Sequence, residues 1–90
     1  MSTVFIPTVL RPSVAGAKSL QVGGATVGEV VKALLAQYPG LGGQVLTPEG
    51  ELNRFVNVYV NGQDVRYLDG LATPVAERDE VRLLPAMAGG

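Results

Sequence analysis

Apolar and polar residues alternate along most of this chain with a period near two, and in one stretch with a period near 3.6. "TVFIPTVL", Thr3–Leu10, is β-branched and aromatic and predicts a strand. One face would carry Val4, Ile6 and Leu10, the other Phe5 and Val9. Pro7 cannot donate to a ladder, so a bulge or pairing gap is expected there. Arg11-Pro12 opens a loop through Gly16. Lys18–Val22, with Leu20 and Val22 facing one way, predicts a second strand hairpinned to the first. Then the period changes. Val27, Val30, Val31, Leu34, Leu35 and Tyr38 fall at i, i+3, i+4, i+7, i+8 and i+11, one apolar stripe of a helix. Thr26 with Glu29 three residues on is a capping box, and Pro39-Gly40 stops the helix, which is predicted at Val27–Tyr38. Gly28 costs about 1 kcal/mol against Ala in a helix and points to close packing there.

Leu41–Asn53 reads as a Gly/Pro-bearing connection with room for one short helical turn. "RFVNVYVNGQDVRY" predicts a hairpin. Val56, Val58 and Val60 share one face, Phe55, Asn57 and Tyr59 the other. Asn61-Gly62 suits a type I′ turn, and a second arm returns over Gln63–Tyr67. "DGLATPVAERDE" is turn-rich, and "VRLLP" predicts a last strand. The order is β-β-α-β-β-β. One apolar stripe and one apolar face per strand require two-layer α+β packing. A β-grasp satisfies this: a mixed sheet of about five strands on one main helix, first and last strands parallel at its centre.

Composition narrows the chemistry. Ninety residues make one domain, able to bury roughly 60–65% of its unfolded surface. An apolar fraction of 47% argues against disorder. Net charge is −1, from seven Lys and Arg against eight Asp and Glu, scattered along the chain. That is a poor footprint for nucleic acid or an anionic membrane. There is no Cys and no His. Disulfides, thiolate nucleophiles, Cys/His zinc sites, Cys-ligated iron–sulfur clusters and imidazole bases are excluded, so no metal or cofactor of its own is expected. Nor do paired carboxylates offer acid–base work, and the chain does not read as an enzyme. It lacks a membrane-length apolar run and a signal peptide, which makes cytoplasmic the default expectation.

"RFVNVYVNG", "DEVRLLP" and the closing "AGG" resemble the ubiquitin-like sulfur-carrier proteins, the ThiS/MoaD/CysO group, over nearly the full length. These are small β-grasp carriers of thiamin, molybdopterin and cysteine biosynthesis. Within the group, "IPTVLRP", "RFVNVYVN" and "LPAMAGG" look most like the CysO-type carrier of cysteine biosynthesis. Members often have Gly where this chain has Arg78, and Val where it has Met87. The resemblance implies a protein that is a reagent. An E1-like adenylating enzyme uses ATP to turn the Gly90 carboxylate into an acyl-adenylate, and a sulfur donor displaces AMP to leave a thiocarboxylate. In the cysteine route that sulfur attacks an aminoacrylate held on pyridoxal phosphate by a PLP-dependent synthase, and a metalloprotease releases the product. The resemblance leaves open whether the product is cysteine, a thio-sugar, thiamin, molybdopterin or a modified nucleotide.

The residues themselves ask for the same end. Residues 1–85 read as the β-grasp body and 86–90 as a flexible tail, with Pro85 marking the end of the last strand. Gly89 and Gly90 have no Cβ to obstruct a channel, and Ala86 and Ala88 keep the stem narrow around Met87. Five residues reach at most about 17 Å, enough to cross a cleft. The alternative is a frayed end. Phe55, Tyr59 and Leu84 are expected on the face opposite the core valines, either as ordinary surface residues or as a docking patch beside the tail. Among Arg11, Arg54, Arg66 and Arg82, most read as solvated; Arg82, on the tail-bearing strand, is the best candidate to meet an acidic partner. Two other functions remain open at this point, a ubiquitin-like modifier joined to lysine amines and a plain β-grasp interaction module.

Overall fold

Pro7 decides the first element. The structure, a computed structural model, describes residues 1–85. Strand β1 (Ser2–Phe5) stops short of Pro7, whose missing N–H cannot extend the ladder. The strand expected over Thr3–Leu10 is therefore half as long, and Thr8–Val14 winds into 3-10 turns. The inward and outward assignment survives the change of backbone. Val4, Ile6 and Leu10 are buried, while Val9 is 65% exposed. Strand β2 (Ser19–Val22) returns antiparallel, with Ser2 opposite Val22 and Phe5 opposite Ser19.

Helix α1 (Val27–Gln37) begins where its capping signal places it. Thr26 Oγ1 accepts the Glu29 N–H at 3.2 Å. The Glu29 carboxylate accepts from the Ala25 N–H at 3.2 Å, one residue earlier than a standard capping box reaches. Val27, Val30, Val31 and Leu34 are buried, with Leu35 and Tyr38 packed at the margin. Gly28 lies where a Cβ would stand 3.1 Å from the Leu71 carbonyl oxygen, the close packing its presence in a helix suggested. A turn at Pro39–Leu41 leads into the short helix α2 (Gly42–Val45).

Strand β3 (Val56–Val60) turns at Asn61 and Gly62, whose φ of 50° and 88° are both positive as a type I′ turn requires. The second arm, expected over Gln63–Tyr67, lasts two residues as β4 (Gln63–Asp64). There the Asp64 side chain accepts the Arg66 N–H at 2.8 Å and caps a 3-10 turn, Val65–Tyr67, which buries Val65. Such local side-chain bonding competes with a ladder. Strand β5 (Glu80–Pro85) completes a sheet in the order β2-β1-β5-β3-β4. β5 runs parallel to β1, with Val4 opposite Val81, and antiparallel to β3, with Val58 opposite Leu83. Val56, Val58, Val60, Val81 and Leu83 enter one core with the α1 stripe. This is the β-grasp.

The turn that feeds β5 is held by charge. Ala76 N–H donates to the Asp79 carboxylate at 2.8 Å. That bond, with a second from the Asn61 side chain, holds the Asp79 carboxyl below the usual carboxylate range. Arg78 sits in the left-handed region, φ 72°, where a side chain is strained and Gly is not.

Three outcomes follow from this packing. Leu34→Ala should destabilise by about 2–5 kcal/mol in denaturant unfolding, because its side chain is fully enclosed. Arg78→Gly should stabilise by up to about 1 kcal/mol, the relief of left-handed strain less the added entropy of the unfolded chain. Asp79→Ala should lower Tm at neutral pH. Because the folded-state pKa lies below the unfolded one, the Asp79 contribution is full above about pH 4 and is lost as pH falls through the lower folded value. The Tm gap between the variant and the wild type should therefore close in acid; a gap constant with pH would show that the charge is irrelevant.

Candidate functional site

The tail residues Ala86, Met87, Ala88, Gly89 and Gly90 lie outside the described residues. What the structure places is their root. β5 has a neighbour on each edge, and its last two residues are still paired with β3, Leu84 opposite Asn57 and Pro85 opposite Val56. The point from which the tail departs is thus held by the sheet.

Around that root the outer face is ordered across three strands. Arg82 lies between Phe5 of β1 and Tyr59 of β3, its partners in the two ladders. Its guanidinium stands 4.5 Å from the centre of the Phe5 ring, a cation–π contact. Leu84, two residues on and on the same face, is 37% exposed. Its neighbour Asn57 is taken by Arg66, whose Nη1 donates to Asn57 Oδ1 at 2.6 Å. Arg66 Nη2 also donates to the carbonyls of Asn53 at 3.0 Å and Val56 at 2.9 Å. Arg66 is exposed, as expected, and its guanidinium also clips down the entry to β3. That entry carries Phe55, whose N–H donates to Asn53 Oδ1 at 2.9 Å and whose ring is 65% exposed. A large apolar ring is presented to solvent from a fixed backbone.

The four residues expected to dock are therefore placed as follows. Tyr59, Arg82 and Leu84 share the outer face of β3 and β5. Phe55 precedes β3 and lines an apolar groove of about 320 Å³ with Val9, Leu10, Val56 and Pro85. A second groove, of about 490 Å³, lies toward β1 and is lined by Phe5, Pro7, Arg11, Lys18, Arg82 and Leu84. Both grooves reach the end of β5, one at Pro85 and the other at Leu84. Sequence reasoning did not assign Val9, Lys18 or Pro85 to a surface beside the tail. The signal it lacked was the length of β1. Once Pro7 ends that strand, Thr8 and Val9 turn outward between the two grooves.

Catalytic groups do not converge here. Among the described residues no three of His, Cys, Asp and Glu come together as a metal site, and no helix is long and apolar enough to cross a membrane. The arrangement offers contact surface around a tethered chain end.

Comparison with known proteins agrees with this picture. The chain matches the ThiS family over residues 4–90. It is 50% identical over 90 residues to the sulfur carrier protein CysO of Mycobacterium tuberculosis, an alignment covering 98% of this chain and 97% of that one. It is 46% identical over 66 residues to small archaeal modifier protein 3 of Haloferax volcanii, covering 73% of this chain and 71% of that one. A chain of the Amycolatopsis orientalis BexX/CysO complex superimposes with a TM-score of 0.91 at 42% identity, and the match covers 100% of both chains. Sequence and fold thus agree, and the chain belongs to the ThiS family, within which it is CysO-like.

Proposed function

We propose that this protein is a sulfur carrier that works as a co-substrate of other enzymes, with the Gly90 carboxylate as its reacting group. The observation that carries the reading is the 50% identity to CysO over 98% of this chain, together with a ThiS-family match that runs to Gly90. In the first step a Gly90 carboxylate oxygen attacks the α-phosphorus of ATP bound by an E1-like adenylating enzyme, and pyrophosphate leaves. In the second, a sulfide equivalent attacks the acyl carbon, the C–O bond to AMP breaks, and AMP departs with the original oxygen. The product is –C(=O)S⁻, a softer and stronger nucleophile than the carboxylate it replaces. Its sulfur then attacks an electrophile held by an acceptor synthase, in the CysO-like reading a PLP-dependent cysteine synthase, with a metalloprotease freeing the product.

The body serves recognition in this scheme. Phe55, Tyr59, Arg82 and Leu84 surround the tail root and would meet the partner before the tail enters its cleft. A complex that contains a CysO chain, BexX/CysO, shows a relative of this fold engaged with another protein. The cytoplasm, where ATP and the partner enzymes are at hand, is the proposed compartment. A second reading, a ubiquitin-like modifier joined to lysine amines, draws on the small archaeal modifier proteins among the relatives.

Incubation with ATP, a sulfur donor and the cognate adenylating enzyme should raise the mass by about 16 Da, oxygen replaced by the more nucleophilic sulfur. Deleting Gly90 should abolish the shift. It leaves the carboxylate about 3.3–3.6 Å short, far more than near-attack geometry tolerates. The thermal stability of the body should not change. A shift that survives the deletion would end the carrier reading, and isopeptide adducts without any thiocarboxylate would favour the modifier.

A further inference from the structure

The groove between β1 and the end of β5 is built from cations. Arg11, Lys18 and Arg82 line it, three of the chain's seven Lys and Arg. None of the eight Asp and Glu does. Two consecutive residues hold the guanidinium groups of Arg82 and Arg11 and the backbone of Lys18. The Phe5 ring carries the Arg82 guanidinium at 4.5 Å. The Ile6 carbonyl accepts from Arg11 Nε at 3.1 Å, and the Ile6 N–H donates to the Lys18 carbonyl at 2.8 Å. Among the described residues the ion pair present joins the Met1 ammonium to Glu77, and no carboxylate pairs with any of these three cations. Like charges gathered without a counter-ion repel one another, and an anion from outside relieves that repulsion. The groove also has apolar walls, Phe5, Pro7 and Leu84. A small inorganic anion would use the charges and leave those walls wet. A peptide segment that combines carboxylates with an apolar side chain uses both.

We propose that this groove docks an acidic segment of the protein that activates the tail, its carboxylates on Arg11, Lys18 and Arg82 and an apolar side chain against Pro7 and Leu84. The inference rests on the carrier reading, since it needs a partner that handles the tail. Its place follows from the same geometry, because Leu84 is both a wall of the groove and the next-to-last residue of the tail-bearing strand. A partner seated there has the tail root beside it. Exposed ion pairs add little affinity individually, but a clustered charge steers encounter, raising association rates by about 10- to 1,000-fold.

The test is the association rate of the whole protein with its adenylating enzyme by stopped flow. Salt is varied from about 0.01 to 1 M, over which the Debye length shrinks from about 30 to 3 Å. Lys18→Glu with Arg82→Glu should slow association at low salt by about tenfold or more and flatten its salt dependence. Lys32→Glu, exposed on α1 and outside the groove, should match the wild type. Should Arg82→Glu disturb β5, Lys18→Glu alone, on an exposed side chain, must move the rate in the same direction. Equal rates and equal salt slopes, with binding retained, would overturn the groove assignment and leave the carrier reading standing. Competition by inorganic phosphate well beyond that of chloride at equal ionic strength would overturn it in favour of a small anion. A salt-sensitive dimer in sedimentation, lost in the double variant, would assign the groove to a second copy of the chain. A wild-type protein neither bound nor adenylated by the enzyme would end the carrier reading and this inference together.

Discussion

The central strand β5 is the constraint on which the rest depends. It pairs with β1 on one edge and β3 on the other, and it buries Val81 and Leu83 against the helix layer. Its parallel partner comes from the opposite end of the chain, so closing this pair forfeits much of the loop entropy the chain has to lose. The return is apolar burial, about 1.5–3 kcal/mol for each enclosed Val or Leu side chain, gathered from four of the strands, the helix stripe and the turns between them. A parallel pair cannot be joined by a tight turn. The connection between β1 and β5 therefore has to pass through everything else, and α1 is positioned by that route to cover one face of the sheet.

The same pairing gives the outer face its meaning. Because β5 is held on both edges up to Arg82 and by β3 up to Pro85, the tail departs from a fixed point. Arg82 is trapped between Phe5 and Tyr59 by the two ladders, and Leu84 follows it on the same face. A strand carries one face inward and one outward, so inward and outward residues alternate along β5 from Glu80 to Leu84. The outward set, Arg82 and Leu84, is what this strand presents beside the tail root.

Two devices refine that presentation. Pro7 ends β1 early, and the turns it starts raise Thr8 and Val9 between the cationic groove and the apolar one. Arg66, reaching back from the short second arm of the hairpin, fixes Asn53, Val56 and Asn57 and so the platform from which Phe55 projects. Neither device belongs to the tail-bearing strand. Both shape what a partner meets beside it.

Local chemistry determined much of this protein before any tertiary contact. The helix, its cap at Thr26 and its stripe from Val27 to Leu34 were legible because a 3.6-residue period needs only neighbours on one element. So were the Asn61-Gly62 turn, whose positive φ angles are a property of those residues, and the inward set Val4, Ile6, Leu10, Val56, Val58 and Val60. Element order and the family resemblance together indicated the β-grasp, and the closing Gly-Gly indicated where chemistry would be sought. Tertiary structure decided the rest. Whether the Pro7 and Asp64 segments stay in strand depends on which partner offers hydrogen bonds, and in both places a local turn won. Arg66 became a clip because the fold set Asn57 and the Asn53 and Val56 carbonyls within its reach. Arg11, Lys18 and Arg82 are far apart in sequence and look like scattered charges there. Only the adjacency of β1 and β5, with Ile6 bonded to both Arg11 and Lys18, gathers them into one groove, because a charge cluster is a fact of distance in space and no local pattern records it.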